Sequence, residues 1–177
     1  MNPDLFWIPG PWRGRLAVGT RPRGGDWLEA EASGWQRTGL DVVVSLLEKE
    51  EAAQLDLVDE GNAAEAKGIR FISFPIPDRG VPTSVPAAVS LMTGIADALE
   101  EGKSVAVHCR QGLGRSGLIA AGILVTSGIS PERAMEVVST ARGHTVPETP
   151  DQHRWIQRLP WEQWVVTPRE IPIRRRP

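Results

Sequence analysis

The segment 116–128, SGLIAAGILVTSG, is apolar on nearly every side of the helix that it predicts. A helix with this composition has no face suited to water, so its neighbours must bury it from all directions. It follows SVAVH at 104–108, a short apolar run that predicts a buried strand, and a loop with two glycines. The chain is therefore expected to fold around a unit of strand, loop and central helix.

Strands and helices alternate along the rest of the sequence. Apolar and β-branched runs bounded by glycine, proline or charge predict three more strands, at 16–19, 41–47 and 69–74. Composition and periodicity predict four more helices, at 48–65, 84–101, 131–142 and from about residue 150. Because strands separated by helices are joined by right-handed crossovers, the predicted fold class is α/β, with a mostly parallel central sheet flanked by helices.

The predicted organisation is one domain over residues 1–165, followed by a basic, disordered tail at 166–177. The many charges of the acidic segment 48–65 are expected to form a face in contact with water. The seven tryptophans cluster toward both ends of the chain, and we expect most of them to pack the termini onto the domain.

Charge and composition narrow the class of protein. Lys and Arg total 20 and Asp and Glu 22, so a formal charge of −2 argues against a general nucleic-acid or membrane-surface protein. No secretory signal is visible, and no run approaches the ~18 apolar residues of a membrane span. One cysteine excludes an internal disulfide and suits a reducing compartment. We expect a cytoplasmic monomer with no nucleic-acid partner and no membrane insertion.

The only cysteine, Cys109, lies where the last predicted strand meets the glycine-containing loop. Gly112 and Gly114 allow successive backbone N–H groups to turn toward one point at the start of a helix. Such an arrangement binds anions, phosphate above all, and the same field lowers the pKa of a thiol. The sequence therefore predicts a thiolate nucleophile beside a phosphate site.

Two residues at the end of this loop suit the same chemistry. Arg115 can place its planar guanidinium on two phosphate oxygens and follow their charge into the transition state. The hydroxyl of Ser116 can hydrogen-bond the sulfur and ease its departure when a thiophosphate is hydrolysed. We therefore predict Cys109, Arg115 and Ser116 as catalytic residues.

The pattern His108-Cys109-x5-Arg115-Ser116 resembles the signature of the cysteine-dependent protein tyrosine and dual-specificity phosphatases. The stretch GLGRS is similar to the loop of their kinase-associated branch. The resemblance implies that His108 orients the loop. It also implies that the loop binds phosphate through Arg110, Gln111, Gly112, Leu113, Gly114 and Arg115. Sulfur-transferring rhodaneses have a similar motif, usually with a loop one residue shorter, so a sulfurtransferase is the weaker alternative.

Cleavage of a phosphate ester also needs a proton for the leaving oxygen, and residues 110–114 carry no acid. Asp78 lies in PIPDRGVP at 75–82, directly after a predicted strand. This stretch is similar to a proline- and glycine-flanked loop of the kinase-associated branch. The resemblance implies that Asp78 protonates the leaving group and then activates the attacking water. The alternative is a simple β-turn, which the composition alone would explain.

The stretch ETPDQ at 148–152 resembles the loop that positions water in this superfamily, although Glu148 stands where glutamine is common. Under this interpretation Gln152 supports the site. The alternative is a helix start, because Thr149-x-x-Gln152 is a capping box with Pro150 at the first helical position.

The sequence constrains the identity of the substrate less than it constrains the catalytic residues. The chain has no tyrosine, whereas the tyrosine-specific branch typically has a tyrosine-bearing loop. The resemblance therefore favours dual specificity, for phosphotyrosine and phosphoserine or phosphothreonine, on a phosphorylated protein such as a kinase. A catalytically silent phospho-binding module and a phosphatase of inositol phosphates or phosphoinositides remain open. His144 and His153 have no metal-ligand spacing with each other or with Cys109, so we expect neither a metal nor a cofactor.

Overall fold

A computed structural model describes residues 4–164 of the chain. The tail proposed at 166–177 lies outside the described residues. Within them, five strands form one sheet in the order β1-β2-β5-β3-β4. The strands are β1 Leu5–Ile8, β2 Arg15–Gly19, β3 Val42–Ser45, β4 Arg70–Ser73 and β5 Ser104–His108.

Four of these strands run parallel, with β5 in the middle between β2 and β3. β4 extends the sheet beyond β3 in the parallel sense, whereas β1 pairs with β2 in the antiparallel sense. The predicted mostly parallel α/β fold is confirmed. The sequence pattern did not predict β1.

Helices cover both faces of the sheet. In the described part of the chain they are α1 Leu28–Thr38, α2 Lys49–Gln54, α3 Glu60–Glu65, α4 Val85–Glu100, α5 Gly114–Thr126, α6 Pro131–Arg142 and α7 Pro150–Gln157. Short 3-10 helices precede α1 and follow α7, at Gly25–Trp27 and Trp161–Trp164. α1 is a helix that the sequence prediction lacks.

The alternating side chains of β5 contribute to two separate cores. Val105 and Val107 pack in the larger core with residues of α4, α5 and α6. Ala106, between them, packs in a smaller core with Trp35 of α1 and Ala64 of α3. α5 lies at the centre of the larger core, where it packs against α4, α6 and α7, and its residues 114–125 are all buried, as the sequence predicts.

The acidic segment 48–65 differs from its prediction in two ways. It forms two short helices, α2 and α3, separated by a turn in which Asp56 has a φ of +55°. The prediction that the charges of this segment face water is wrong for two residues, because Glu51 and Glu60 are buried. Burial of a carboxylate requires a charged or hydrogen-bonding partner, and both partners lie at the candidate site described below.

The tryptophans follow the expected pattern in part. Trp12 and Trp35 are buried, and Trp155, Trp161 and Trp164 are partly buried against the larger core. Two others are exposed, Trp7 and Trp27, and each stacks under an arginine side chain. In residues 4–164 no helix is long and apolar enough to cross a bilayer. The cytoplasmic location and the monomeric state remain predictions.

Candidate active site

The end of β5 sends two neighbouring side chains to opposite faces of the sheet. Cys109 follows the strand, lies in the larger core on the α5 side and is 3% exposed. His108 turns to the other face, toward α3. The connection that continues from this point, residues 109–115, is called here the cysteine loop.

The cysteine loop is wrapped around the sulfur of Cys109. Backbone N–H groups of Gln111, Gly112 and Ser116 hydrogen-bond the sulfur, and the hydroxyl of Ser116 lies 3.4 Å from it. Gly112 has a φ of +69°, and a Cβ atom there would stand 2.7 Å from the carbonyl oxygen of Gly19. Only glycine fits this position, which explains one of the two glycines in the loop.

These donors decide the ionisation of the thiol. Burial of Cys109 favours the neutral form, but the hydrogen bonds from Ser116 and from the loop N–H groups lower its pKa below the ordinary value for a thiol. The start of α5 adds its positive dipole end to the same atom. The loop therefore stabilises the thiolate form of Cys109 relative to an ordinary thiol.

Arg115 is almost fully buried beneath the loop and is held by a carboxylate that sequence analysis missed. Its Nη1 and Nη2 donate to the two oxygens of Glu51 at 2.6 and 3.0 Å, and Nη1 also donates to the carbonyl of Ile76 at 3.1 Å. Burial opposes the charged form of Arg115, yet its hydrogen bonds to the carboxylate of Glu51 raise the pKa of the guanidinium. The bidentate pair fixes the plane of the arginine.

His108 has a buried partner from the same acidic segment. Its Nε2 lies 2.6 Å from Oε1 of Glu60, and its Nδ1 lies 3.4 Å from the carbonyl oxygen of Cys109. Burial lowers the pKa of the imidazole, but the charge of Glu60 outweighs it and raises the pKa overall. These two contacts tie the start of the cysteine loop to α3.

Asp78 lies above this buried group, on the connection at residues 75–82, called here the acid loop. Its Oδ1 is 3.1 Å from Nη2 of Arg115, and its side chain is 60% exposed. The backbone N–H of Asp78 donates to Oε2 of Glu48 at 3.3 Å. The carboxyl is thus held near the cysteine loop while it stays open to solvent.

The start of α7 holds the acid loop from the other side. Nε2 of the fully buried Gln152 donates to the carbonyl of Gly80 at 2.9 Å. Its Oε1 accepts the backbone N–H groups of Glu148 and Thr149, and the hydroxyl of Thr149 accepts the N–H of Gln152, so the capping box is present. Gln152 therefore caps α7 and positions the acid loop.

Arg142, at the end of α6, braces the cysteine loop from outside. Its Nε and Nη2 donate to the carbonyls of Gly112 and Gln111 at 2.8 and 3.0 Å, and its guanidinium stacks on the ring of Phe6 in β1. These bonds hold the loop carbonyls outward, which turns the intervening N–H groups inward. The sequence did not predict this contact, because an arginine at the end of a helix has no pattern that identifies its partner.

The two loops enclose a recess of about 120 Å³. It is lined by Asp78, Arg79, Cys109, Arg110, Gln111, Gly114, Arg115 and Glu148. The side chain of Leu113 packs against the larger core instead, so this residue could contact a ligand only through its backbone. Ser116 and His108 lie behind the recess. Among the described residues, no cluster of His, Cys, Asp or Glu could hold a metal ion.

Known proteins share the fold of this chain and part of its sequence. Kinase associated phosphatase has a crystal structure that superposes with a TM-score of 0.82 over 94% of this chain and 98% of that chain, at 18% identity. Tk-PTP in its active form superposes with a TM-score of 0.70 over 89% of this chain and 98% of that chain, at 30% identity.

Two curated relatives match about half of this chain. Cyclin-dependent kinase inhibitor 3 of Rattus norvegicus is 33% identical over 91 residues, which cover 50% of this chain and 42% of the rat protein. Protein tyrosine phosphatase domain-containing protein 1 of Danio rerio is 38% identical over 80 residues, 45% of this chain and 11% of the fish protein. The chain therefore matches less than half the length of each.

A family model extends the match across the sheet and the cysteine loop. The model described as "Polymorphic toxin system, DSP-PTPase phosphatase" matches residues 23–129. This range includes strands β3, β4 and β5, the acid loop, the whole cysteine loop and all of α5. The chain belongs to this family, and it is a phosphatase of the dual-specificity and tyrosine phosphatase superfamily.

Proposed function

We propose that the chain hydrolyses phosphomonoesters on proteins through a cysteinyl-phosphate intermediate formed on Cys109. The observation that carries the proposal is the meeting of three groups at one recess. Arg115 lies beneath the thiolate and within 3.1 Å of Asp78, so nucleophile, phosphate-binding cation and acid surround the same small volume.

The first chemical step follows from this arrangement. The Sγ of Cys109 attacks phosphorus while the bond to the leaving oxygen breaks, and the carboxyl proton of Asp78 passes to that oxygen. Arg115 and the loop N–H groups bind the phosphate oxygens, whose charge they stabilise in the transition state. The products are a free alcohol or phenol and a cysteinyl phosphate.

The second step releases inorganic phosphate. A water molecule attacks phosphorus and passes a proton to the carboxylate of Asp78, the phosphorus–sulfur bond breaks, and sulfur leaves as the thiolate. The hydroxyl of Ser116 can donate to the departing sulfur from 3.4 Å. The same donors that lower the pKa of Cys109 make it a good leaving group.

The proposed substrates are phosphoproteins with phosphotyrosine and phosphoserine or phosphothreonine. Charged and polar residues dominate the lining of the recess, and two of them, Arg79 and Arg110, supply positive charge at its mouth. A relative is named as an inhibitor of cyclin-dependent kinases, which makes a phosphorylated kinase one candidate partner. Inositol phosphates would use the same arginines, so they belong in the substrate panel.

The test is hydrolysis of p-nitrophenyl phosphate in the presence of EDTA. We expect activity in the wild type, none in Cys109→Ser, and a loss of about 10²–10⁴-fold in Asp78→Asn. Asp97→Asn, an exposed change on α4, is the matched control and should leave the rate unchanged. A wild type that binds phosphopeptides without hydrolysing them would indicate a recognition module and overturn the proposal. Activity that survives Cys109→Ser would also overturn it.

A further inference from the structure

The sheet has a second cavity on the face opposite Cys109, with a volume of about 310 Å³. It is called here the rear cavity. Its walls come from the start of β1, the connection from β2 to α1, α1 itself and His108 at the end of β5. This volume lies in the range of pockets that hold small molecules. No step of the hydrolysis proposed above uses it.

Part of the wall of the rear cavity is apolar. Leu5 of β1, Trp35 of α1 and Val43 of β3 line it, and all three side chains pack in or against the smaller core. Because these side chains pack together between the sheet and α1, a flat apolar group can lie against them. Such a contact removes apolar surface of the ligand from water, which favours binding.

Two arginines line the rear cavity, and their partners differ. Arg23 pairs with Glu31 of α1, and its guanidinium lies over the ring of Trp27. Arg21 is half-buried, and its Nη1 donates to the carbonyl of Pro22 at 3.1 Å. Among residues 4–164, no carboxylate forms an ion pair with Arg21. The remaining donors of this guanidinium are therefore available to an anion.

The charges around the rear cavity favour a ligand with a single negative charge. One guanidinium matches the two oxygens of a carboxylate, to which it can donate two parallel hydrogen bonds. The exposed carboxylate of Asp4 also borders the cavity and would repel a phosphate dianion. His108 already has the carboxylate of Glu60 as its partner. The ligand class that fits both the wall and the charge is therefore a small aromatic carboxylate.

Two carbonyl groups of the cysteine loop are held by residues that line the rear cavity. Nδ1 of His108 lies 3.4 Å from the carbonyl oxygen of Cys109. The backbone N–H of Arg21 donates to the carbonyl of Arg110 at 3.4 Å. The cavity and the recess therefore share the backbone of one loop, although they lie on opposite faces of the sheet.

The next two carbonyls of the loop are held through β1. Arg142 donates to the carbonyls of Gln111 and Gly112, and its guanidinium stacks on the ring of Phe6. Phe6 directly follows Leu5, which lines the rear cavity. Four successive carbonyls are thus held outward by residues at the cavity or by contacts with their neighbours. Their position keeps the loop N–H groups turned toward the recess.

We propose that the rear cavity is an effector site for a small aromatic carboxylate, whose binding strengthens the binding of phosphate in the recess. The carboxylate pairs with Arg21, and the aromatic group lies against Leu5 and Trp35. The bound ligand orders the segments that hold the loop carbonyls, which favours the arrangement of N–H groups that binds phosphate. The site does not depend on the function proposed above, but its effect on turnover rests on that function.

The first test is the binding of 1-naphthoate, measured by isothermal titration calorimetry with and without saturating inorganic phosphate. Coupling between two sites is reciprocal, so phosphate should strengthen the binding of naphthoate, by about fivefold. An anion bound in the recess would instead compete with phosphate. Weaker binding in the presence of phosphate would therefore overturn the proposal, as would an affinity that phosphate does not change or an absence of binding.

The second test removes the charge on either side of the proposed pair. Arg21→Gln lacks the guanidinium but keeps the backbone N–H that holds the loop, and it should bind naphthoate about tenfold more weakly. Arg13→Gln, an exposed change before β2, is the matched control and should bind like the wild type. The uncharged 1-naphthamide should bind the wild type about tenfold more weakly than naphthoate, a measurement that does not require Arg21→Gln to fold. Equal affinities in either comparison would overturn the proposal.

The third test locates the ligand and separates this inference from the proposed function. With ¹⁵N-labelled tryptophan, the Nε1–H signal of Trp35, assigned through Trp35→Phe, should shift on addition of naphthoate. The same shift should occur in Cys109→Ser, because this change lies on the other face of the sheet. An unchanged Trp35 signal would overturn the effector site while Cys109→Ser remained inactive. Hydrolysis retained in Cys109→Ser would instead overturn the proposed function and leave the binding site standing.

Discussion

The cysteine loop and the acid loop lie on the two sides of one recess, yet they are held by different means. Cys109 and Arg115 are 3% and 2% exposed, and their loop is held by Arg142 of α6, which donates to two of its carbonyls, and by the bidentate pair of Arg115 with Glu51 of α2. The side chain of Asp78 is 60% exposed. Its loop is held by a hydrogen bond from the backbone of Asp78 to the side chain of Glu48 and by one from Gln152, at the start of α7, to the carbonyl of Gly80.

This difference matches what the proposed mechanism requires of each loop. Several N–H groups must converge on one phosphate, which requires a backbone that is already in place before a substrate arrives. The acid has to deliver one proton and must also let a protein substrate enter and leave. A small shift in the cysteine loop should therefore cost more activity than a comparable shift in the acid loop.

The largest expected difference comes from matched glycine variants, one in each loop. In Gly112→Ala the new methyl would combine a φ of +69° with a 2.7 Å approach to the backbone of Gly19. We expect an activity loss of about 10²-fold or more, because the loop N–H groups are displaced. In Gly80→Ala the nearest atom is the carbonyl oxygen of Pro77 at 3.0 Å, which a small shift can relieve. Equal losses of kcat/KM in the two variants would contradict the inference that displacement of the cysteine loop costs more activity than displacement of the acid loop.

The next effect concerns the buried support of the cysteine loop. Glu51→Ala leaves the guanidinium of Arg115 buried without its partner, so we expect a loss of about 3–5 kcal/mol in the free energy of unfolding. Glu136→Ala, which breaks an exposed pair with Arg133, should cost at most about 0.5 kcal/mol. Urea unfolding measures both. A similar small cost for the two variants would show that the Glu51 pair does not support the loop.

The same pair gives a pH dependence with a definite sign. The hydrogen bond from Arg115 outweighs burial and lowers the pKa of Glu51 in the folded state. Its contribution to stability is therefore present above the ordinary pKa of a glutamic acid and disappears as the pH falls through the lowered value. The stability gap between wild type and Glu51→Ala should narrow toward acid pH. A stability gap that widens toward acid pH would contradict the lowered pKa of Glu51.

The smallest effect should come from the hydroxyl beside the sulfur. Ser116→Ala removes one donor to the thiolate and leaves the backbone donors, so the pKa of Cys109 should rise. We expect alkylation of the thiol at pH 6 to slow by about tenfold. Ser90→Ala, an exposed change on α4, should have no effect. An unchanged alkylation rate in Ser116→Ala would indicate that the backbone N–H groups alone lower the pKa of Cys109.

The sequence predicted the parts of the fold and site that depend on local pattern. The largely apolar segment 116–128 predicted the central helix, and the run at 104–108 predicted the strand that precedes Cys109. The acid loop was predicted from its prolines, glycine and aspartate. For Gln152 the two alternatives are compatible in the structure, since one side chain caps α7 and contacts the acid loop.

What the sequence did not predict depends on contacts between distant segments. Glu51 and Glu60 lie in a segment whose high charge suggested exposure, and their burial follows from partners 64 and 48 residues away. Arg142 braces a loop about 30 residues earlier, beside a strand that the sequence did not predict. A charge pattern on one segment cannot identify a partner in another. The residues that position the site were therefore found only from the structure.

The central claim is that Cys109 is held as a thiolate at the place where phosphate binds. The most direct test is the rate of Cys109 alkylation by iodoacetamide as a function of pH, with and without inorganic phosphate. The chain has a single cysteine, so the signal comes from one site. We predict rapid alkylation well below the ordinary pKa of a thiol and strong protection by phosphate. Alkylation that follows an ordinary thiol and ignores phosphate would contradict the account.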